Sequence, residues 1–365
     1  MVKHIVVLLF SILPAYLLNG NSLLEAISKV GPKGQGNQEV IDNWKQIKSM
    51  SSSNIIELFE LMNRSNQLGE NWIRAAIFEI LERSGGNSLP QEETINFIKN
   101  LNNKGSARRS AFDFLNRFTP QISQSMRSSF IDDPEPSLRR EGVELLLDQA
   151  EVLQNTEQSI EAYEYALGKA RDVDQIEQAC QSLESLGQKI DLPKIMGFIT
   201  EWKVIGPFDN TDRKGFGVGF PPEKNPVELE KEYAGKNSGV KWQKFSTSNR
   251  LGLLDLNQPF GHIKEVLCYA QTEFESPVEQ SVQFRIGSKN AWKLWVNDKL
   301  VFARDEYHRG ATRVDQFILD GQLRKGTNKI LVKICQNEQT ESWTKQWEFC
   351  FRITDLTGTP IAKSN

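Results

Sequence analysis

Cysteine and histidine are scarce in this chain of 365 residues, which contains four cysteines and three histidines. The cysteines are too few for a disulfide scaffold in a chain of this length. No two of them form a CxxC pair, and the histidines are scattered at His4, His262 and His308. We therefore expect neither a disulfide framework nor a zinc site built from cysteine and histidine.

An excess of charge of one sign is also missing. The chain carries 44 basic and 47 acidic residues, a formal net charge of -3. A nucleic-acid-binding domain shows a basic face or stripe, so nucleic acid is not an expected partner. The motifs GxSxG, HExxH and the P-loop are absent too. No motif nominates the carboxylate pair of a glycosidase. We expect a protein that is not an enzyme and has no cofactor.

The chain has one long apolar run, Ile5–Leu18, interrupted by Ser11 and Pro14. The run is shorter than the ~20 residues that span a bilayer. A basic residue, Lys3, precedes it, and the small polar segment Asn19–Ser22 follows it. This order is typical of a secretory signal peptide, here residues 1–22. We expect an exported protein, periplasmic or extracellular, with no membrane span after cleavage. The alternatives are an uncleaved anchor and a buried first helix.

Residues 37–190 show helical periodicity throughout, and residues 23–36 read as a turn-rich lead-in. Within the helical half Arg74–Leu81, Arg108–Leu115 and Arg139–Leu146 align with one another. Their spacing, about 30–35 residues, is typical of solenoids of helical pairs. The stretch Asp132–Leu146 resembles a HEAT repeat, in which an arginine satisfies turn carboxylates. The resemblance covers roughly residues 40–150, and an irregular helical bundle is the alternative.

The periodicity changes from helix to strand at residues 190–198, and six of the eight tryptophans follow residue 200. Strands separated by turns then predict an antiparallel β-sandwich over residues 198–360. In its central hairpin, Trp292, Leu294 and Val296 alternate with polar or amphipathic residues. The pair Asn297–Asp298 follows, and both residue types tolerate the positive φ of a two-residue turn.

Two stretches of this half, Phe284–Val301 and Leu323–Ile334, resemble the galactose-binding-like jelly rolls found beside β-glycosidase barrels. Asp298 stands where glycine is usual in that family. The resemblance covers about residues 198–358 and implies a jelly-roll fold. Modules of this kind bind glycans, link domains or brace an enzyme, so the resemblance indicates fold more than function.

The candidate site residues are aromatic and charged. Trp292 and Trp347 share parity with core aliphatic residues, so we expect them in the core, and we expect Trp295 and Trp343 to be exposed. The polar loop after the hairpin, Arg304–Gly310 together with Arg313, is a plausible ligand site at one end of the sandwich. An ordinary solvated loop is the alternative. The predicted ligand-binding residues are Trp295, Asp305, Tyr307, Arg309, Arg313 and Trp343.

Calcium is the one ion considered for the sandwich, because it takes oxygen ligands. The oxygen ligands would come from Asp305, Glu306 and Asp315, or alternatively from the turn Asp209–Asp212. Cys335 and Cys350 have equal parity on strands predicted to be neighbours, which allows either a disulfide or two buried thiols.

The function expected from the sequence is non-catalytic binding by an exported two-domain protein, a HEAT-like helical half followed by a jelly roll. The ligand would be a glycan or another envelope or secreted protein. One alternative is a purely structural or protein-interaction scaffold. Another is an accessory part of a polysaccharide-degrading system, or an enzyme whose site has no recognised motif.

Overall fold

The computed structural model describes residues 22–86 and 88–361. The predicted signal peptide lies outside the described residues, apart from Ser22. An N-terminal helical half is followed by antiparallel sheets, as the sequence predicts. The chain divides between Gly142 and Val143 into two compact units. In the described part, no helix combines the length and the apolar character that crossing a membrane requires.

The helical part contains eleven described α-helices. They are α1 (Ser22–Ser28), α2 (Asn37–Asn43), α3 (Ile55–Arg64), α4 (Gln67–Arg83), α5 (Gln91–Lys99), α6 (Gly105–Phe118), α7 (Pro120–Met126), α8 (Pro136–Glu151), α9 (Thr156–Lys169), α10 (Val173–Ser185) and α11 (Leu192–Met196). The three aligned sequence segments lie in α4, α6 and α8.

The aligned arginine of α6 holds the turn before α8. Arg108 is 2% exposed and donates to both carboxylate oxygens of Asp133, at 3.0 and 2.5 Å. Its Nε donates to the carbonyl of Ile98 at 2.6 Å. In the stretch Asp132–Leu146 itself, Arg139 Nη1 donates to the backbone carbonyl of Asp133 at 3.0 Å, so arginines from two of the aligned segments contact this turn. Removing one partner of such a buried pair leaves an uncompensated charge, which is strongly destabilising.

The lead-in predicted for residues 23–36 is wrong at its start. Residues 22–28 form α1, and Leu23, Ala26 and Ile27 are buried in the core of the first unit. Ser22 Oγ donates to Asn43 Oδ1 at 2.6 Å. The apolar spacing of Leu23, Leu24 and Ile27 already fits a short amphipathic helix, but the glycines that follow suggest a loop.

The strands follow in the order β1 (Glu201–Asp209), β2 (Glu232–Ala234), β3 (Gly239–Lys241), β4 (Gln243–Ser246), β5 (Leu254–Asp255), β6 (Val266–Ser276), β7 (Gln280–Gly287), β8 (Ala291–Val296), β9 (Lys299–Arg304), β10 (Phe317–Leu323), β11 (Gly326–Gln336) and β12 (Glu348–Thr354). A short helix, α12 (Asn257–Phe260), interrupts the run of strands. The larger sheets have the strand orders β4-β1-β6-β11-β8-β9 and β10-β7-β12-β5.

The two larger sheets share one apolar core. Trp292 and Trp347 are fully buried in it, which confirms their predicted place. Alternate residues of the central strands point into this core, and the residues between them form the outer face of the six-stranded sheet. The hairpin prediction is also confirmed, because β8 pairs with β9 across Asn297 and Asp298, whose φ angles are 52° and 66°.

Each sheet is covered on its outer face as well. The segment between β1 and β4 packs on the six-stranded sheet, where Ile205, Phe208, Tyr269 and Cys335 form a second cluster with Tyr233 and Trp242. A third cluster brings residues of α8 to α11 onto Phe198 and Cys350, beside the four-stranded sheet.

The disulfide alternative for Cys335 and Cys350 is wrong. Cys335 lies on β11 of the six-stranded sheet, and Cys350 lies on β12 of the four-stranded sheet. The two side chains belong to different clusters, one on each outer face. All four cysteines are free and buried, so the thiol alternative is confirmed. Strand parity alone cannot say which strands are neighbours.

The predicted domain boundary at 190–198 implies that the sheets fold independently of the preceding helices. This stays a prediction, and the contacts of the third cluster provide a way to test it. Arg352, fully buried, donates from Nη1 to the carbonyl of Met196 at 3.1 Å, so α11 supports the four-stranded sheet.

We expect fragment 198–365 to melt at least about 5 °C below fragment 136–365, because it lacks the helices that bury Phe198 and Cys350. Burial of one large apolar side chain is worth about 1.5–3 kcal/mol, and 1 kcal/mol shifts the Tm of a unit this size by roughly 2–4 °C. Circular dichroism melts of both fragments measure this. Equal Tm values would show that the sheets fold independently of α8 to α11.

Candidate functional site

Three segments meet at one end of the six-stranded sheet. The antiparallel pairings bring the C-terminal ends of β1, β9 and β11 to this end. The segments that leave these strands surround a pocket of about 370 Å³. Its lining residues are Arg213, Asp305, Glu306, Tyr307, His308, Arg309, Gln339 and Trp343. We call it the loop pocket.

Four of the six predicted ligand-binding residues line the loop pocket: Asp305, Tyr307, Arg309 and Trp343. The other two do not. Trp295 is half-buried on β8, against the cluster on the outer face of the six-stranded sheet. Arg313 is exposed in the same loop as the pocket residues, and its carbonyl lies against Gly287.

The aromatic side of the pocket is formed by Tyr307 and Trp343. The Trp343 side chain is 53% exposed, as expected from the sequence. The Tyr307 hydroxyl accepts a hydrogen bond from Asn210 Nδ2 at 3.1 Å, and the Arg213 guanidinium lies 5.4 Å from the centre of the Tyr307 ring. Burial raises the pKa of Tyr307, so its hydroxyl keeps its proton at neutral pH. The ring is therefore fixed while the indole of Trp343 stays open to solvent.

His308 connects the two aromatic residues. It is 6% exposed, its Nε2 lies 2.9 Å from Asn337 Oδ1, and its ring meets Trp343 edge-on at 6.1 Å. Its backbone N–H donates to the carbonyl of Lys289 at 2.6 Å. Burial lowers the pKa of His308, with Lys264 and Lys289 adding to the effect and Asn337 opposing it. The imidazole is therefore neutral at pH 7.

The charges of the pocket are of two kinds. Arg213 forms a bidentate pair with Glu338, and Arg304 Nη2 pairs with Glu306 at 3.0 Å. Asp305 and Arg309 have no ion pair within 4 Å among the described residues, and both are exposed. One acid and one base are thus available to a ligand next to two aromatic rings.

The calcium ligands proposed from the sequence do not come together. Asp315 lies between Arg352 and Arg285, whose Nη1 is 2.7 Å from Asp315 Oδ2. Burial opposes ionisation of Asp315, but the two guanidinium groups hold its pKa below the usual range. Asp209 accepts from Thr211, and Asp212 pairs with Lys214. Across residues 22–86 and 88–361, three or more potential metal ligands are nowhere grouped.

Sequence reasoning missed Arg213 and Gln339, and it included His308 in the polar loop without naming it as a ligand-binding residue. Gln339 follows β11, and its side chain accepts from Asn337 Nδ2 at 2.9 Å. Arg213 comes directly after the oxygen-rich turn Asp209–Asp212, which the sequence did single out. The missing information was the strand order that brings the ends of β1 and β11 next to the β9–β10 loop.

Comparison with known proteins gives little further guidance. No family model matches the chain, and no curated protein is similar to it. One similar solved structure is a β-glucosidase from Kluyveromyces marxianus in complex with glucose, with 11% identity and a TM-score of 0.26 over 42% of this chain and 16% of that one. Another is a GH31 α-xylosidase from Xanthomonas citri, with 12% identity and a TM-score of 0.19 over 43% and 16%. Scores this low carry no argument about fold or activity.

We expect His308 to make the protein sensitive to acid. In the unfolded chain histidine titrates near its usual pKa of about 6.5, whereas the folded pKa is lower. The folded state therefore binds fewer protons, and the stability that neutral His308 contributes is complete above pH ~6.5 and lost as pH falls below it.

Between pH 7.5 and pH 5.5, the Tm of His308→Gln should consequently fall less than that of the wild type. His262→Gln is the matched control, because His262 is exposed, and it should follow the wild type. Differential scanning calorimetry across the pH series measures the slopes. A His308→Gln slope equal to that of the wild type would show that His308 titrates alike in both states.

Proposed function

We propose that this chain is an exported, non-catalytic binding protein whose two larger sheets form a jelly-roll β-sandwich that binds a saccharide in the loop pocket. The observation that carries the proposal is the arrangement of an exposed Trp343 and a fixed Tyr307 beside the unpaired charges of Asp305 and Arg309. The preceding helices are proposed to form a HEAT-like scaffold.

The chemistry of the pocket suits a sugar ring. An exposed indole can cover the apolar face of a pyranose, because aromatic rings supply large rigid contact area with a polar edge. The hydroxyls of the sugar can donate to Asp305, and Arg309 can donate to a hydroxyl or grip a carboxylate. A pocket of about 370 Å³ is small, near the lower limit for small-molecule sites. It accommodates one or two rings, such as the end of a glycan chain.

Binding without catalysis is supported by the carboxylates of the pocket. Glycoside hydrolysis normally uses two carboxyl groups, an acid and a base or nucleophile. Glu306 is engaged by Arg304, and only Asp305 lines the described pocket as a carboxylate without an ion pair. One carboxylate can orient a hydroxyl but cannot perform both roles.

The test is a glycan array followed by isothermal titration calorimetry with the saccharides that it selects. Trp343→Ala should weaken binding at least about fivefold, because removing a central aromatic contact typically costs about 1 kcal/mol or more. Arg309→Ala should weaken binding of acidic sugars in particular. Both variants should keep the wild-type Tm within the range of ordinary surface substitutions.

Two control variants match these changes. Tyr165 is also 53% exposed but lies on α9, and Arg64 is an exposed arginine at the end of α3. Tyr165→Ala and Arg64→Ala should bind as the wild type does. If no saccharide binds, or if Trp343→Ala binds normally, the pocket is not a sugar site. Capture of a defined envelope protein that Trp343→Ala abolishes would instead support the protein-interaction alternative.

Export has its own test. Because Leu23, Ala26 and Ile27 are buried in the first unit, a mature protein that keeps α1 must begin at or before Ser22. Mass spectrometry of protein recovered outside the cytoplasm should therefore find an N-terminus at about residues 19–22, as expected for a signal peptide. A cytosolic protein with Met1 intact would contradict export.

A further inference from the structure

A hollow lies over the outer face of the six-stranded sheet, on strands β4, β1 and β6. Its volume is about 710 Å³. The cross-strand register places Lys203 opposite both Lys244 and Gln271, so these three side chains form one row on the outer face. Two residues along each strand, Glu201, Ser246 and Glu273 continue the same face. We call this hollow the sheet groove.

A buried, unpartnered polar group lines the groove. Gln271 is 3% exposed, and its Oε1 has no hydrogen-bond partner among the described residues. Nearly all buried polar atoms in proteins have a partner, and an exception calls for a physical reason. Because Gln271 lines the groove, a ligand that lies there and donates a hydrogen bond satisfies its oxygen.

The charged residues of the groove are also without partners. Lys203 and Lys244 lie directly opposite each other on neighbouring strands, an arrangement of like charges that destabilises a sheet. Neither lysine has an acid within 4 Å among the described residues, and the same holds for Glu201 and Glu273 with respect to bases. An anionic group seated between the two lysines would remove their repulsion. The groove is therefore built to receive a ligand with at least one negative charge.

The remaining oxygens define the rest of the ligand. Gln271, Glu201 and Glu273 present acceptor oxygens in two neighbouring rows of side chains on the sheet face below the groove. A ligand that satisfies them needs several donors close together, together with the anion for the lysines. A saccharide has a hydroxyl on most ring carbons, whereas a peptide backbone supplies one N–H per residue. The two glutamates also disfavour a ligand with anions along its whole length, such as a heavily sulfated chain.

The groove continues beyond the glutamates. A second hollow of about 540 Å³ shares Glu201, Thr272 and Glu273 with it and is lined by apolar side chains that include Phe198 and Phe274. The combined length exceeds a single ring. An extended chain can thus place an acidic residue over Lys203 and Lys244 and the next residues over the apolar part.

We infer that the sheet groove is a binding site for a uronate-containing oligosaccharide, separate from the loop pocket. The carboxylate of the uronate pairs with Lys203 and Lys244, and its hydroxyls donate to Gln271 Oε1 and to the glutamates. The two sites share only β1 and lie toward its opposite ends: the groove lies on β4, β6 and the N-terminal part of β1, and the loop pocket lies at the C-terminal ends of β1, β9 and β11.

Titration calorimetry with tetragalacturonate and with its methyl ester tests the inference on the full-length protein. The methyl ester keeps the hydroxyls and removes the charge, so it should bind at least about tenfold more weakly than the acid. Lys203→Gln combined with Lys244→Gln should lower the affinity for the acid at least about tenfold and leave that for the ester unchanged. Added salt should weaken binding of the acid alone, because exposed charges are screened.

Three further variants show whether binding of the acid depends on the sheet groove. Lys299→Gln, an exposed lysine on the opposite edge strand β9, should bind as the wild type does. Gln271→Leu should keep the Tm, since its oxygen has no partner to lose, and should weaken binding of both probes. Trp343→Ala should leave groove binding intact, which distinguishes this result from failure of the loop pocket.

The inference is overturned if the wild type binds neither probe at millimolar concentration, or if the double lysine variant binds the acid normally. Loss of binding on Trp343→Ala would assign the uronate to the loop pocket. An acidic-basic peptide that binds where tetragalacturonate does not would replace the saccharide with a peptide as the ligand class.

Discussion

The outer face of the six-stranded sheet depends on one buried lysine. Lys333 is fully buried on β11, and its Nζ donates to the carbonyls of Phe216 and Val218, at 3.2 and 2.7 Å, and to Glu223 at 3.3 Å. Tyr269 donates to the same Glu223 oxygen at 2.5 Å. Burial lowers the pKa of Lys333, and Glu223 opposes that change. A buried ammonium is tolerated only when it is paired and fully hydrogen-bonded, so the segment that supplies these oxygens must stay on the sheet.

This anchored segment connects the sheet to both hollows. It begins after β1 with Asn210 and Arg213, which contact Tyr307 at the loop pocket. It covers the row formed by Tyr269, Lys333 and Lys293. The Nζ of Lys293 lies 4.5 Å from the centre of the Phe216 ring. The next rows on β4, β1 and β6 line the sheet groove. Disturbing Lys333 would therefore affect the shape of two hollows that its side chain does not reach.

The sequence predicted what depends on local geometry. The hairpin turn followed from residue types that accept positive φ, and the core tryptophans followed from parity, because both are properties of a single strand pair. Lys333 was not predicted: its parity places it on an outer face, where a lysine is normally solvated. The loop pocket was found in part, since Asp305, Tyr307 and Arg309 lie in one short loop, whereas Arg213 and Gln339 lie in segments that follow β1 and β11, far away in sequence. Parity does not encode the order in which strands pair, and this order places Cys335 and Cys350 in different sheets.

Unpartnered buried polar atoms occur at both hollows and elsewhere in the second unit: Gln271 Oε1 belongs to the sheet groove and His308 Nδ1 to the loop pocket. Trp292 Nε1 and Arg285 Nε are also buried without a partner in the described residues, but neither side chain lines either hollow. The free energy that they cost is offset by packing and by the remaining bonds of the side chain, as for Arg285 with Asp315 and Gln283. Gln271 is different, because it lines a hollow large enough for a ligand. If the Gln271 side chain contributed to stability only by packing, leucine would do the same, because it fills a similar volume without an unsatisfied oxygen. The carboxamide of Gln271 is therefore favourable only when a ligand donates a hydrogen bond to its oxygen.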